Sequence, residues 1–138
     1  DEKLEARLLY ADLATLPYGD GAFDAVVAFN VIYHAYRDGV EASLDEIRRV
    51  LAPNGLLFVT FNSTSSEDYG KGRKVDDNTY VKVGGVEDGI PHYYVEKNEL
   101  DRLMKSFEVL RLSHREDWLL ELGRSHREAH WSVWARRP

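Results

Sequence analysis

The chain contains no cysteine among its 138 residues, so it has neither a disulfide framework nor thiolate chemistry. It also lacks any apolar run approaching the ~20 residues that span a membrane, and its first residues do not resemble a signal peptide. We therefore expect no membrane partner and a cytoplasmic location. The sequence singles out no set of metal ligands, and we expect no metal site.

An excess of basic charge is absent as well. Lys and Arg number 18 against 24 for Asp and Glu, which leaves a net charge of −6. Binding to nucleic acid draws on a basic surface that neutralises phosphates, so we expect no nucleic-acid partner. The length and the hydrophobic content of 43% fit one domain with a core of its own. We interpret residues 1–138 as a single domain.

The stretch from Phe23 to Asn62 has the pattern of a strand, a helix and a second strand. Two apolar runs, residues 25–29 and 56–61, flank a segment whose apolar residues recur at helical spacing up to Leu51. Neither run alternates between apolar and polar residues, which is typical of parallel strands covered by helices on both faces. The stretch therefore predicts a βαβ unit and an α/β fold.

The remaining segments are predicted from local pattern. The chain opens with a helix tail at residues 1–4 and a short strand at 7–11. Residues 63–95 are polar and glycine-punctuated, and we interpret them as an insertion or lid that contains a hairpin of 79–83 with 90–95. A helix at 96–106 and strands at 107–113 and 130–136 complete the domain, with a solvated loop at 124–128.

Three segments in this order resemble one known family. They are Ala11-Asp12 followed by Leu16-Pro17-Tyr18, then Phe23-Asp24-Ala25-Val26, then the run from Glu46 to Gly55. Together they are similar to the class I S-adenosylmethionine-dependent methyltransferases of the small-molecule type. The resemblance implies a Rossmann-like sheet with helices on both faces and a closing antiparallel hairpin. It also implies S-adenosylmethionine as the cofactor and a small molecule as the methyl acceptor.

One part of that family's pattern has no counterpart here. The first strand and its glycine-rich loop are absent, and Gly70-Lys71-Gly72 does not replace the loop because no apolar strand precedes it. The resemblance therefore implies the C-terminal portion of a methyltransferase domain without its N-terminal strands. Alone it should be inactive and bind the cofactor weakly. Strand 25–29 would then carry an open edge, through which we expect a homodimer.

The resemblance assigns cofactor contacts to two corners of the chain. Asp12 would accept a hydrogen bond from the adenine amino group beside the amide of Leu13, and Asn30 and Val31 would face the cofactor through backbone atoms. Both corners also have structural interpretations. Asp12 fits a cap for the backbone of residues 14 and 15, and Asn30 fits a cap of the strand that precedes it.

Acceptor contacts are predicted from the aromatic and histidine residues that follow. His34 is the candidate catalytic base, since a neutral imidazole can take a proton from a nucleophile. Tyr33, Tyr69, His92 and Tyr93 are candidate substrate-binding residues over the strand ends. The alternative is that His34 packs locally and that Tyr93 anchors a hairpin.

Two other functions stay open at this point. The chain could be a methyltransferase-like binding or interaction module without catalysis, which the missing glycine-rich loop favours. It could also belong to a nucleotide-dependent oxidoreductase, because dinucleotide-binding folds share the βαβ unit. The closing antiparallel hairpin and the pairing of Asp12 with Leu16-Pro17 favour the methyltransferase.

Overall fold

A mixed sheet of seven strands and two helices make up the part of the chain that the computed structural model describes, which is residues 6–121 and 124–138. In chain order the elements are β1 (Phe23–Ala28), α1 (Arg37–Val50), β2 (Leu51–Ser63), β3 (Arg73–Lys74), β4 (Thr79–Val81), β5 (Pro91–Val95), α2 (Lys97–Leu103), β6 (Glu108–Glu121) and β7 (Arg124–Arg136). The strand order is β3-β4-β5-β2-β7-β6, and β1 also pairs with β2. The α/β class predicted from the sequence is confirmed.

The predicted βαβ unit is present. β1 runs parallel to β2, with Val27 beside Phe58, and α1 connects the two strands. The apolar face of α1 is buried through Val40, Leu44, Ile47 and Val50. These positions recur every three or four residues, so the helix buries one apolar stripe, and its charged residues lie outside that stripe.

β2 organises the sheet because three strands pair with it. β7 runs antiparallel along one edge, whereas β1 and β5 both run parallel along the other edge. β5 pairs with Asn62 and Ser63, beyond the point at which β1 ends. β5 therefore lies directly past the carboxyl end of β1.

The hairpin predicted within residues 63–95 is confirmed by the antiparallel pairing of β4 with β5. β5 is also a buried strand of the main sheet, and its residues Tyr93 and Val95 belong to the hydrophobic core. Residues 64–90 contribute no side chain to that core among the described residues. The interpretation as an insertion or lid consequently stays a prediction for residues 64–90.

Both helices pack on the same face of the sheet. They share one core with side chains of β2 that include Leu57 and Val59. On the opposite face, Phe58 lies between Phe29 and Trp134, which are 62% and 46% exposed. Within the described ranges, helices thus cover one face, where the sequence predicted cover on both.

The strand predicted for residues 7–11 is wrong. These residues have no regular structure, and Leu8 and Tyr10 are 94% and 103% exposed. A strand is stabilised by hydrogen bonds to a neighbour, and no described strand lies beside this segment. The predicted helix tail falls on residues 1–4, outside the described residues.

β6 and β7 confirm the closing antiparallel hairpin and extend it. Pairing continues from Glu108 beside Arg136 to Glu121 beside Arg124, so residues 124–128 belong to a strand and the predicted loop there is wrong. Among the described residues β1 pairs with β2 alone, and its predicted open edge is present. None of the described helices has the length and apolar content to cross a bilayer.

Candidate functional site

The carboxyl ends of β1 and β2 meet at a corner formed by Asn30 and Thr60. The amide of Asn30 donates to the Thr60 hydroxyl at 2.7 Å, and that hydroxyl donates to the Asn30 side-chain oxygen at 3.0 Å. Asn30 has a left-handed φ of 51°, which asparagine tolerates better than most residues. Parallel α/β sheets bind ligands at this end of their strands.

The chain then turns through residues 31–36 and packs against β5. The His34 amide donates to the carbonyl of Val31 at 3.2 Å, and the amide of Tyr93 donates to the carbonyl of Tyr33 at 2.9 Å. Because β5 lies past the end of β1, these bonds place Tyr33 and His34 beside His92. The ring centroids of His34 and His92 are 4.7 Å apart, nearly perpendicular.

A cavity of about 90 Å³ occupies the space between this turn, β5 and β7. Its lining is polar and ionisable, and includes Tyr33, His34, Asn62, Glu87, His92 and His130. The Tyr33 hydroxyl lies 3.4 Å from Nε2 of His130. Proton-carrying side chains from four segments of the chain therefore converge on one small space.

Burial determines the protonation states of the side chains that line this cavity. It raises the pKa of the Tyr33 phenol well above its usual value, and the carboxylates of Glu128 and Glu87 raise it further. Burial lowers the pKa of His92 and of His130, so both imidazoles are neutral at pH 7. The cavity wall thus offers a phenol that keeps its proton and imidazoles with a free lone pair.

A second, wider cleft of about 440 Å³ adjoins the cavity. It is lined by residues that include Phe29, Asn30, Thr60, Trp118, Glu128 and His130. Glu128 and His130 line both spaces. The corner of Asn30 and Thr60 therefore opens onto the wide cleft, and His130 stands between that cleft and the small cavity.

The structure places Asp12 and Leu13 in an exposed loop, away from the lining of both spaces. Oδ1 of Asp12 accepts from the amide of Ala14 at 2.8 Å, and its carbonyl accepts from the amide of Thr15 at 3.1 Å. These contacts are those of the capping interpretation of Asp12. They leave the cofactor contact of Asp12 a prediction.

This loop is fastened to α1 by charged residues. Oε1 of Glu46 accepts from the amide of Leu16 at 2.7 Å, and Arg49 bonds both Glu46 and Asp20 at 2.7 Å. Hydrogen bonds from Arg49 first, and then from the Leu16 amide, lower the pKa of Glu46 to about 2. Glu46 therefore stays ionised and holds the loop of Asp12 in one position on the helix.

Two of the predicted acceptor residues lie elsewhere. Tyr93 is 2% exposed and donates to Oε1 of the buried Glu99 at 2.7 Å, so its side chain belongs to the core. Tyr69 packs edge-on against Tyr80 and Tyr94, with centroids 5.4 and 5.5 Å away. The structure brings Tyr33, His34 and His92 to the cavity and leaves Tyr69 and Tyr93 out of its lining.

Sequence reasoning missed Glu87, Glu128 and His130. The pairing of Asn62 with His130 puts the middle of β7 beside the carboxyl end of β2, and this register could have identified His130. The sequence predicts a loop at Glu128, because the run of charged residues around it lacks the alternation that is typical of a strand. Glu87 lies in a turn, where no periodic pattern exists to reveal it.

Comparisons with known proteins find similar sequences and similar folds. Residues 1–59 match the family model described as a methyltransferase domain. The fold matches a crystal structure of SAM-dependent methyltransferases from Methanosarcina mazei with a TM-score of 0.72 over 92% of this chain and 65% of that one, at 16% identity. Residues 1–59 thus resemble a methyltransferase domain in sequence, and the described residues share the fold of solved SAM-dependent methyltransferases.

Two further relatives share the methyltransferase fold or sequence. Demethylmenaquinone methyltransferase of Thermus thermophilus is 51% identical over 57 residues, which are 41% of this chain and 24% of that protein. The Burkholderia thailandensis 1,6-didemethyltoxoflavin-N1-methyltransferase, crystallised with its substrate and S-adenosylhomocysteine, has a TM-score of 0.57. It is 14% identical, over 91% of this chain and 48% of that one. The chain thus spans about a quarter of this curated relative.

Proposed function

We propose that this chain is part of a methyltransferase and takes part in transferring a methyl group from S-adenosylmethionine to a small-molecule acceptor. The main observation in support is that the Asn30–Thr60 corner lines a cleft of about 440 Å³ at the carboxyl end of the parallel strand β1. Ligand pockets for small molecules have volumes of roughly 300–1,000 Å³, and the cleft falls in that range.

The cofactor would lie on the β1 side of this corner. The cleft there combines the apolar Phe29 with the polar Asn30 and Thr60, a surface that fits a ligand with both an aromatic base and polar groups. Bound there, S-adenosylmethionine would supply a methyl group already activated on a sulfonium. Asn30 and Val31 would position it through the backbone, and its base would extend out of the cleft to reach Asp12 and Leu13.

The acceptor would lie on the β7 side, against the small cavity. Alignment and exclusion of water are the main demands on the protein in this chemistry, and buried walls meet both. Tyr33 and His92 would orient the acceptor, and His34, 30% exposed in its side chain, would take the proton that the acceptor nucleophile loses.

A titration of the isotope-labelled chain with S-adenosylhomocysteine, followed by amide NMR, tests the cofactor side. Weak binding is expected from the chain alone, and NMR detects binding in the millimolar range. We expect concentration-dependent shifts at the amides of Asn30, Val31 and Leu13. Shifts confined to other parts of the chain, or none at all, would favour a binding module without methyl transfer.

The matched control uses two asparagines. Asn54 also has a left-handed φ, 64°, but precedes Gly55 at the opposite end of the β2 pairing with β1. Replacing either by alanine imposes the same backbone strain. Asn30→Ala should weaken the response to S-adenosylhomocysteine, whereas Asn54→Ala should leave it unchanged. Equal effects of the two changes would assign Asn30 to the fold alone.

A further inference from the structure

Three potential metal ligands converge beside the small cavity although they are far apart in sequence. His34 lies in the turn after β1, Glu87 in the turn between β4 and β5, and His92 on β5. The ligand atoms of these three residues all lie within 4.8 Å of one another. The sequence alone predicted no metal site, because this convergence depends on β5 pairing beyond the end of β1.

The carboxylate of Glu87 is directed between the two imidazoles. Its Oε1 lies 3.6 Å from Nε2 of His34, and its Oε2 lies 3.3 Å from Nε2 of His92. Two donor atoms at ~2.05 Å from a tetrahedral zinc ion are separated by about 3.3 Å. Each imidazole therefore lies about as far from an oxygen of Glu87 as two ligands of one zinc ion lie from each other, although the two distances involve different oxygens.

The second nitrogen of His92 is held in the way metal-binding histidines are held. Nδ1 lies 3.2 Å from the carbonyl oxygen of Ile90. A carbonyl oxygen only accepts hydrogen bonds, so this contact places the proton on Nδ1 and leaves the lone pair on Nε2, facing Glu87. Such an outer hydrogen bond fixes the tautomer and the ring orientation of a ligand.

We propose that His34, Glu87 and His92 bind one divalent transition-metal ion, with Zn²⁺ as the preferred occupant. Two imidazoles and one carboxylate form a donor set of the kind found in catalytic zinc sites, which keep a fourth position open. His92 is 4% exposed in its side chain, whereas His34 and Glu87 are 30% and 43% exposed, so an ion can enter from the solvent side. If the proposed methyl transfer holds, the open position would take an oxygen of the acceptor, and the ion, by lowering the pKa of that oxygen, would replace His34 as the group that promotes loss of its proton.

Calorimetric titration of the metal-free chain with Zn²⁺ at pH 7.5 tests this proposal without any methyl donor, so its outcome is independent of the proposed function. We expect one Zn²⁺ per chain. Glu87→Gln and His34→Asn should each weaken binding at least tenfold, because each removes one of three ligands. Both side chains are partly exposed, and circular dichroism checks that the variants fold.

His126 supplies a matched control. Its Nε2 lies 3.3 Å from Oε1 of Glu128, the same spacing as in the pair of His92 with Glu87, and the structure groups no third ligand with them among the described residues. His126→Asn should leave Zn²⁺ binding unchanged. Co²⁺ gives a second reading, since visible absorption typical of tetrahedral coordination should appear in the wild type and disappear in Glu87→Gln.

The opposite results would overturn the proposal. If Zn²⁺ does not bind, or binds Glu87→Gln as tightly as the wild type, the three residues form an ion-pair cluster only. If His126→Asn weakens binding as much as His34→Asn, the ion is held by surface histidines and the site is not the one proposed.

Discussion

Replacing Thr60 by valine should destabilise the fold through a single backbone amide. Thr60 is 1% exposed, and its hydroxyl is the acceptor for the amide of Asn30. Valine has nearly the shape of threonine, so the change removes the hydroxyl and leaves the packing in place. The Asn30 amide then loses its acceptor, while the side-chain oxygen of Asn30 can turn to water because that residue is exposed.

The loss of unfolding free energy is therefore set by the Asn30 amide alone. A buried donor left without a partner costs about 1–3 kcal/mol, and the part-buried position of the Asn30 amide favours the middle of that range. With a urea dependence of about 2 kcal/mol per molar, within the typical span for small domains, the unfolding midpoint should fall by roughly 1 M.

Urea unfolding followed by tryptophan fluorescence measures the midpoint, and amide exchange at Asn30 gives a local reading. Thr60→Ser is the control, since serine keeps the hydroxyl and loses only a methyl group. We expect Thr60→Val to accelerate exchange at Asn30 and Thr60→Ser to keep it slow. Equal stability of Thr60→Val and wild type would refute the reasoning, as would fast exchange at Asn30 in Thr60→Ser.

Three more predictions follow from contacts described above. The pKa of Glu46 is about 2 in the folded chain, whereas that of an unperturbed glutamate is 4.5. Ionised Glu46 therefore stabilises the fold above pH 4.5, and this contribution is lost as the pH falls towards 2. Urea unfolding at several pH values should show the decline. Hydrogen exchange should be faster at residues 64–90, apart from the buried strand β4, than at 57–61 or in β5, since these residues lie outside the core. Static light scattering should show self-association that rises with concentration and that Val27→Lys abolishes, because lysine on an exposed strand edge discourages pairing.

Each of these has a control that can contradict it. Glu46→Gln should flatten the pH dependence between 4.5 and 2, and an unchanged slope would mean that other carboxylates dominate it. Uniform protection along the chain would argue against a lid at residues 64–90. Val86 is fully exposed in a turn remote from β1 in sequence, so Val86→Lys should not alter association; a monomer at high wild-type concentration would rule out edge pairing.

Local pattern predicted the elements that carry their own signal. α1 was identified because Val40, Leu44 and Ile47 recur at helical spacing, and each is buried in the structure. The prediction of a strand at residues 7–11 is wrong because a strand depends on more than local pattern. Its apolar residues have strand propensity, but a strand forms only where another lies beside it, and that depends on distant parts of the chain.

The candidate site was predictable in part for the same reason. Asn30, Tyr33 and His34 could be found because they follow directly on a recognisable strand. The contacts of Tyr33 and His34 with His92 and His130 depend on the pairing of β5 and of β7 with the end of β2, and no local pattern encodes these long-range pairings. A buried aromatic such as Tyr93 also looks the same in sequence whether it faces a cavity or the core.

The extension of the β6–β7 hairpin past β2 has a mechanical consequence. Residues 124–129 of β7, which precede His130, pair with β6 alone, and a two-stranded ribbon bends more readily than a wider sheet. Ser66 bonds the backbone of Ala129, and the amide of Glu67 donates to the carbonyl of Arg127, so the start of the 64–90 segment is tied to this ribbon. Bending of this ribbon would therefore move one wall of the wide cleft and the start of the 64–90 segment together.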